Sequence, residues 1–213
     1  MEFKLFLDTV SKIRNLELPG EKAHFLMFPP YRMELMDMMK EKMAHAKKAA
    51  VMVLFYPDSL QRTNVVLILR KTYKGVHSAQ IGFPGGKVEK EDKSLLESAV
   101  RETEEEVGVK RHDIDVLKSL SNVYIPPSNY SVYPFIGVLE YTPCFVKQDD
   151  EVEDILEISL MDLLSDSSIV TRPVKTSYDI DVEVPAFLFK GHTVWGATAM
   201  ILSEVKELLK QII

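Results

Sequence analysis

The sequence has little cysteine, no long apolar run and no excess of positive charge, and each shortage excludes a class of protein. One cysteine, Cys144, stands among 213 residues, so the chain cannot form an internal disulfide or hold a metal with cysteines alone. The longest unbroken apolar run, residues 49–56, is far shorter than the roughly 20 residues of a membrane-spanning helix. With 26 Lys and Arg against 32 Asp and Glu, the formal net charge is -6, which argues against a nucleic-acid-binding protein.

The first residues also lack the features of a secretion signal. The segment MEFKLFLDTV has no basic start, no sustained apolar stretch and no small-residue cleavage site. A single cysteine fits a reducing compartment. We therefore expect a soluble, cytoplasmic protein with neither a membrane nor a nucleic acid as its partner.

The pattern divides the chain into a helical extension, residues 1–45, and an α/β domain, residues 46–213. In the extension, apolar residues recur at helical spacing, and Pro19-Gly20 and Pro29-Pro30 interrupt them. After the second interruption comes a stripe of methionines, which can serve packing within the chain or a contact between two copies: Met33, Met36, Met39 and Met43. The extension can therefore cap the domain or mediate a homodimer.

From residue 46 onward, segments typical of strands and helices alternate. Short runs rich in β-branched and aliphatic residues predict strands, and apolar residues at intervals of three and four predict helices. The predicted strands are residues 49–56, 65–69, 114–120, 131–141 and 182–189, and the predicted helices are residues 94–107, 160–164 and 196–213. This order indicates one mixed α/β domain.

Three glutamates share one face of the predicted helix 94–107. At about 100° per residue, Glu102, Glu105 and Glu106 fall within an arc of about 100°. Arg101 lies four residues before Glu105, close enough to hold its carboxylate. Like charges near the C-terminal end of a helix repel one another and oppose its dipole. Because Mg²⁺ and Mn²⁺ prefer carboxylate oxygens, a bound divalent cation would offset this cost, and a solvated acidic face is the alternative.

A glycine pair before this helix favours the metal interpretation. Gly85 and Gly86 let the backbone approach a ligand closely, so the Gly85 carbonyl can join the metal ligands. Lys87 follows at once and can neutralise a phosphate. The turn therefore predicts a site for a phosphorylated ligand and a cation.

The stretch from the glycine pair to the end of this helix resembles the Nudix box, the signature of the Nudix hydrolases. The box reads G-x5-E-x7-R-E-U-x-E-E-x-G-U, where U is aliphatic, and the matching residues are Arg101, Glu102, Glu105, Glu106, Gly108 and Val109. Thr103 stands at a position that is usually aliphatic. The spacing from Gly86 to Arg101 is one residue longer than the pattern, and Asp92 is the acid nearest to the expected first glutamate. The extra residue therefore falls in the loop before the helix.

The resemblance implies a fold, a reaction and a metal site. The fold is an α/β/α sandwich around a mixed β-sheet, and the reaction is hydrolysis of a nucleoside diphosphate linked to another group. The implied cofactor is Mg²⁺ or Mn²⁺, held by Glu102, Glu105, Glu106 and the Gly85 carbonyl. Arg101 and the last two glutamates are the implied catalytic residues, and the general base is either Glu105 or Glu151, which lies in the acidic stretch 149–154.

Segments outside the box are similar to those of coenzyme A diphosphatases within this family. They are residues 77–86, 125–130, 150–152 and 195–199, whereas Gly75 and Ala79 depart from the usual Arg and Gly. The resemblance implies cleavage of coenzyme A into 4'-phosphopantetheine and adenosine 3',5'-bisphosphate. The alternatives are the same chemistry on ADP-ribose, a dinucleotide or a nucleoside triphosphate, and a non-catalytic domain that senses a nucleotide.

Four residues around the glycine turn are candidates for substrate binding. Arg70 ends a predicted strand and carries the planar guanidinium that suits a phosphate. Gly86 and Lys87 lie in the turn itself. His77 can contact the substrate or brace the loop that carries it. Trp195 either stacks on a nucleotide base or anchors the packing of the last helix.

Overall fold

The apolar run that begins at residue 49 forms the central strand of the fold. In the computed structural model, which describes residues 1–71, 80–175 and 181–213, this strand, β1, spans Lys47–Pro57. Its buried side chains alternate between two apolar clusters, with Val53 and Phe55 in one and Met52 and Leu54 in the other. A strand that is buried on both faces has no polar face, which explains the continuous apolar run.

The predicted strands and helices are all present, and several short elements are added to them. The helices are α1 (Phe3–Val10), α2 (Glu21–Phe25), α3 (Arg32–Met38), α4 (Lys40–Met43), α5 (Leu95–Val107), α6 (Leu160–Leu164) and α7 (Gly196–Leu209). The other strands are β2 (Thr63–Arg70), β3 (Ile81–Gly82), β4 (Gly85–Lys87), β5 (Asp115–Ser119), β6 (Val123–Ile125), β7 (Tyr130–Val138), β8 (Val152–Ser159), β9 (Ile169–Lys175), β10 (Asp181–Phe189) and β11 (His192–Val194).

Strands β1 to β8 form one mixed sheet. Its central order is β3-β2-β1-β7-β5, and β4, β6 and β8 pair with β1, β7 and β2. The β1–β7 pair is parallel, from Lys47 opposite Tyr130 to Phe55 opposite Val138, and the other pairs are antiparallel. The last three strands form a separate antiparallel sheet in the order β11-β10-β9.

Helices cover both faces of the main sheet. Ala99 and Val107 of α5 pack in the cluster that contains Met52, whereas Phe6 of α1 and Val205 of α7 pack in the cluster on the opposite face. The predicted α/β/α arrangement around a mixed sheet is therefore confirmed.

The helical extension contributes to the core. The ring of Phe6 lies 5.0 Å from that of Phe55, centroid to centroid. His24 of α2 and Glu204 of α7 form a buried pair, with 3.1 Å between Nε2 and Oε2. The carboxylate of Glu204 also accepts a hydrogen bond from the Gly20 backbone N–H. The extension thus covers one face of the domain, while the boundary at residue 45 and a homodimer stay predictions.

The methionine stripe lies outside both core clusters. Met33 and Met43 are exposed, and Met36 and Met39 are half-buried. Packing inside the core therefore does not explain the stripe.

Strand β8, which is not among the predicted strands, begins at Val152 within the acidic stretch 149–154. The buried side chains of β8 are Val152, Leu156 and Ile158, and Glu153 and Glu157 are exposed. The acidic residues occupy the solvent-facing positions and hide the apolar spacing of the strand. In the described parts of the chain, no helix has the length and apolar character needed to span a membrane.

Candidate active site

The glycine turn before α5 is shaped around the carboxylate of Glu102. Strand β4 pairs with β1 and places Gly86 opposite Ala50. A Cβ atom at Gly86 would overlap the Glu102 carboxylate, and one at Gly85 would overlap the backbone of Val51. The φ of Gly85 is also +147°, a value that side chains of L-residues disfavour. Both glycines are therefore needed for Glu102 to lie against the turn.

Glu106, one helical turn after Glu102, is a buried carboxylate at 1% exposure. Its Oε2 accepts a hydrogen bond of 2.7 Å from the Gly85 N–H. Its Oε1 lies 3.1 Å from Nη1 of Arg70 in an ion pair but accepts no hydrogen bond. Burial raises the pKa of the Glu106 carboxyl to about 7, against the opposing effects of Arg70 and the Gly85 N–H. Oε1 is thus a buried acceptor without a donor.

A third carboxylate reaches the same place from the segment before β8. The Gln148 N–H donates to the carbonyl of Glu106 at 3.1 Å, so this segment satisfies a carbonyl at the C-terminal end of α5. Farther along, the carbonyl of Glu151 accepts a hydrogen bond of 2.9 Å from the N–H of Lys71, which follows β2. These two backbone contacts fix Glu151 beside the helix.

The carboxylates of Glu102, Glu106 and Glu151 converge. One oxygen from each lies within 4.8 Å of the other two. Burial also raises the pKa of Glu102, and the charges of Glu105 and Glu151 add to that rise while Arg101 opposes it. An all-oxygen donor set is the one that Mg²⁺ and Mn²⁺ prefer. The unsatisfied Oε1 of Glu106 and this crowding of negative charge fit a divalent cation.

Arg101 clamps the acidic residues around it. Its Nε and Nη2 donate to the two carboxylate oxygens of Asp92, each at 3.0 Å. Its Nη1 donates to Glu102 at 3.1 Å and to Glu105 at 3.0 Å. The hydrogen bonds from Arg101 lower the pKa of Asp92 to about 2. Asp92, in the loop that is one residue longer than the Nudix box pattern, therefore holds Arg101 and does not join the three converging carboxylates.

Of the predicted metal ligands, Glu102 and Glu106 lie together with Glu151, whereas the side chain of Glu105 is 53% exposed and held by Arg101. The assignment of the metal ligands stays a prediction. The carbonyl of Gly85 accepts a hydrogen bond of 2.5 Å from Nη2 of Arg70.

Glu102, Glu105 and Glu151 border a cavity of about 740 Å³, which is large enough for a nucleotide-sized ligand. The cationic residues that line it include Arg70, Lys71 and Lys87. A largely apolar wall lies elsewhere in the cavity, formed by Ile125, Pro126, Pro127, Tyr130 and Trp195. The predicted substrate residues Arg70, Gly86 and Lys87 thus line one cavity, whereas His77 lies outside the described residues.

The extension also lines this cavity, which no pattern in the sequence predicted. The lining residues from the extension are Pro29, Tyr31, Arg32 and Leu35. The break at Pro29-Pro30 indicated only an interrupted helix, and no local pattern connects this segment with residues that lie much later in the chain.

Residues 46–174 match the model of the NUDIX domain family. The chain is 31% identical over 143 residues to the uncharacterized Nudix hydrolase NudL of Yersinia pestis (strain Pestoides F), covering 67% of this chain and 71% of that protein. The structure is similar to the Nudix hydrolase RenU from M. smegmatis, with a TM-score of 0.52, 16% identity and coverage of 79% and 88% of the two chains. A MutT/nudix family protein from Enterococcus faecalis gives a TM-score of 0.52, 20% identity and coverage of 78% and 62%. The two structural similarities show a shared fold.

Proposed function

The chain belongs to the NUDIX domain family, and we propose that it is a divalent-metal-dependent hydrolase that cleaves the diphosphate of coenzyme A or its derivatives. The observation that carries the reaction is the convergence of Glu102, Glu106 and Glu151 beside a cavity that Arg70 and Lys87 also line. Negative side chains for a cation and positive side chains for phosphates are the two requirements of this chemistry.

Glu102 and Glu106 would hold Mg²⁺ or Mn²⁺, and Arg101 would position Glu102. A divalent cation bound there supplies charge neutralisation for diphosphate oxygens and lowers the pKa of a water molecule. Because Arg101 gives its hydrogen bonds to Asp92, Glu102, Glu105 and the Lys87 carbonyl, it acts as a positioning residue.

Glu151 is the general base in this proposal. Hydrolysis forms a bond from the water oxygen to one phosphorus, and the bridging oxygen leaves with the other phosphoryl group. The proton of the water must pass to a carboxylate within hydrogen-bond reach. Glu105 is engaged by Arg101, whereas no donor within the described parts of the chain contacts the carboxylate of Glu151.

Coenzyme A is the proposed substrate because of the resemblance around the glycine turn and the character of the cavity. Arg70 and Lys87 lie where they can contact a diphosphate. The apolar wall suits the long, uncharged pantetheine arm and an adenine ring. The cavity volume is within the range of sites that enclose a whole small molecule.

The test is a comparison of substrates with the purified protein and either Mg²⁺ or Mn²⁺. Coenzyme A, acetyl-coenzyme A, ADP-ribose, a dinucleotide and a nucleoside triphosphate are incubated separately, and the products are separated by chromatography. We expect 4'-phosphopantetheine and adenosine 3',5'-bisphosphate from coenzyme A at the highest kcat/KM. Preferential turnover of ADP-ribose would overturn the substrate, and tight binding without any turnover would indicate a nucleotide sensor.

A matched pair of variants on α5 tests the carboxylate cluster in the same assay. Glu106→Gln should lower turnover by about 10²-fold or more. Glu104→Gln is the control, since Glu104 pairs with Lys110 and Arg111 on the surface and should retain parental turnover. Equal activity of the two variants would remove Glu106 from the metal site.

Glu151→Gln separates a general base from a metal ligand. We expect kcat to fall by about 10²- to 10⁴-fold at saturating metal, because the amide cannot accept the proton, while the metal Kd stays within about threefold. Glu153→Gln, two residues away and exposed, is the control. A large rise in the metal Kd with kcat restored at high metal would show instead that Glu151 is a ligand.

A further inference from the structure

A buried arginine of the extension lines the cavity without an acidic partner. Arg32, the first residue of α3, is 9% exposed. Its Nη2 donates a hydrogen bond of 2.7 Å to the carbonyl of Tyr124, and its guanidinium lies 4.9 Å from the centroid of the Phe28 ring. Nε has no hydrogen-bond partner. Across residues 1–71, 80–175 and 181–213, no carboxylate lies within ion-pair distance of it.

A guanidinium that is removed from water without a counter-charge is unfavourable. Buried charges in proteins are generally paired or bound to a ligand of opposite charge. Burial lowers the pKa of Arg32 to about 10, because the cation is poorly solvated. The neutral carbonyl of Tyr124 and the face of an aromatic ring stabilise it only in part. An anion that enters the cavity would supply the missing charge.

Arg32 is bonded to a strand, β6, that is separated from the glycine turn by two other strands. The glycine turn lies on β4 and Tyr124 on β6, and the strand order between them is β4-β1-β7-β6. Ala49 of β1 pairs with Lys87 of β4 on one side and with Val132 of β7 on the other, and Val132 pairs with Val123 of β6. At about 4.8 Å for each neighbouring pair, three intervals amount to about 14 Å along the sheet. The guanidinium bonded to the Tyr124 carbonyl is therefore placed for a part of the substrate remote from the bond that breaks.

We propose that Arg32 binds a phosphate outside the scissile diphosphate and thereby selects substrates that carry one. The inference rests on the proposed function, in which the scissile diphosphate and this second phosphate bind in the same cavity. Coenzyme A carries such a phosphate on its ribose, and 3'-dephospho-coenzyme A lacks only that group. A planar guanidinium carries several N–H groups, so it can donate to a phosphate while Nη2 keeps its contact with the Tyr124 carbonyl. Arg32 is thus a specificity-determining residue supplied by the extension.

The decisive experiment compares two substrates in two proteins. We expect the parental protein to prefer coenzyme A over 3'-dephospho-coenzyme A by about 10-fold or more in kcat/KM, on the scale of a hydrogen bond to a charged group. Arg32→Gln should abolish that preference while changing kcat/KM for the dephospho substrate by less than about threefold. Arg32→Lys should keep part of the preference, because it keeps the charge.

Arg14→Gln is the matched control, because Arg14 also belongs to the extension but pairs with Asp115 at the surface. It should retain the parental preference. Equal losses on both substrates in Arg32→Gln would overturn the proposal, because they would mean that Arg32 only holds the Tyr124 backbone. A parental protein that does not discriminate between the two substrates would overturn it as well.

A binding measurement on the unmodified protein covers the case in which Arg32→Gln does not fold. Calorimetric titration should give a Kd for adenosine 3',5'-bisphosphate about 10-fold or more below that for AMP, which lacks the 3'-phosphate. Equal Kd values would refute the role of Arg32. This comparison needs no turnover, so a protein that fails to hydrolyse coenzyme A would contradict the proposed function while leaving the Arg32 measurement decisive.

Discussion

The metal-free protein should lose stability as the pH rises, because Glu106 must ionise in a buried position. Burial raises its pKa from an ordinary 4.5 to about 7. Between these values the folded protein retains a proton that the unfolded chain has released, so the folded state is favoured at low pH. This contribution is complete below about pH 4.5 and is lost as the pH rises through about 7. The difference between the two pKa values corresponds to about 3 kcal/mol of unfolding free energy.

Glu106→Gln isolates this effect, because the amide has nearly the same shape and does not titrate. The unfolding free energy is measured by urea denaturation in a chelator at about pH 5 and about pH 8 for both proteins. Over this interval the parental protein should lose about 2 to 3 kcal/mol more than the variant. Titration of groups that do not interact with Glu106 is common to both proteins and cancels in the comparison.

Saturating Mg²⁺ provides the second half of the experiment. At about pH 8 and an Mg²⁺ concentration of 100 times its Kd, binding to the ionised carboxylate should raise the unfolding free energy of the parental protein by about 3 kcal/mol. The same Mg²⁺ concentration should stabilise Glu106→Gln much less. If the two proteins show the same pH dependence in chelator, Glu106 does not ionise in a desolvated position and the reasoning fails. If Mg²⁺ stabilises both equally, the cation binds elsewhere.

Three further outcomes follow from the same contacts. Gly86→Ala should displace the Glu102 carboxylate, since the new methyl group occupies its place. Metal binding should weaken and turnover should fall by about 10²-fold. A variant with the metal affinity of the parental protein would show that the turn can adjust. Asp92→Asn should lower the unfolding free energy by about 1 to 2 kcal/mol at neutral pH, because the ion pair with Arg101 holds the pKa of Asp92 at about 2. That stabilisation is present above about pH 4 and is lost as the pH falls through about 2, so denaturation curves of parent and variant should converge in strong acid, and a constant difference would contradict the ion-pair account. A chelator should abolish hydrolysis and added Mg²⁺ or Mn²⁺ should restore it, whereas turnover that persists in chelator would refute the metal requirement.

The prediction of helix α5 succeeded because its signals are local. Ser94 accepts a hydrogen bond of 3.1 Å from the Glu97 N–H at the start of α5, and Gly108 ends the helix at a φ of +76°. Helical spacing then brings Glu102 and Glu106 to one side. Each of these features depends on residues only a few positions apart, so the amino-acid order alone specifies them.

Strand β8 and the methionine stripe show where local patterns fail. The apolar positions of β8 are interrupted by the exposed acids Glu153, Asp154 and Glu157, and the segment therefore has the composition of a loop. The methionines have helical spacing in a segment that the structure leaves largely at the surface. Whether a side chain is buried depends on the elements that pack against it, and these elements come from distant parts of the sequence.

The sequence alone was sufficient to predict the glycine turn, the helix that follows it, the two glutamates one turn apart and the alternation of strands and helices. Only the tertiary structure decided that Glu151 lies beside these glutamates and that Arg32 lines the same cavity. The physical reason is distance along the chain. Glu151 is placed at the site by the hydrogen bond from Gln148 to the end of α5 and by its own bond to Lys71, and Arg32 is placed by a hydrogen bond to Tyr124. Such contacts exist only after remote segments have packed together.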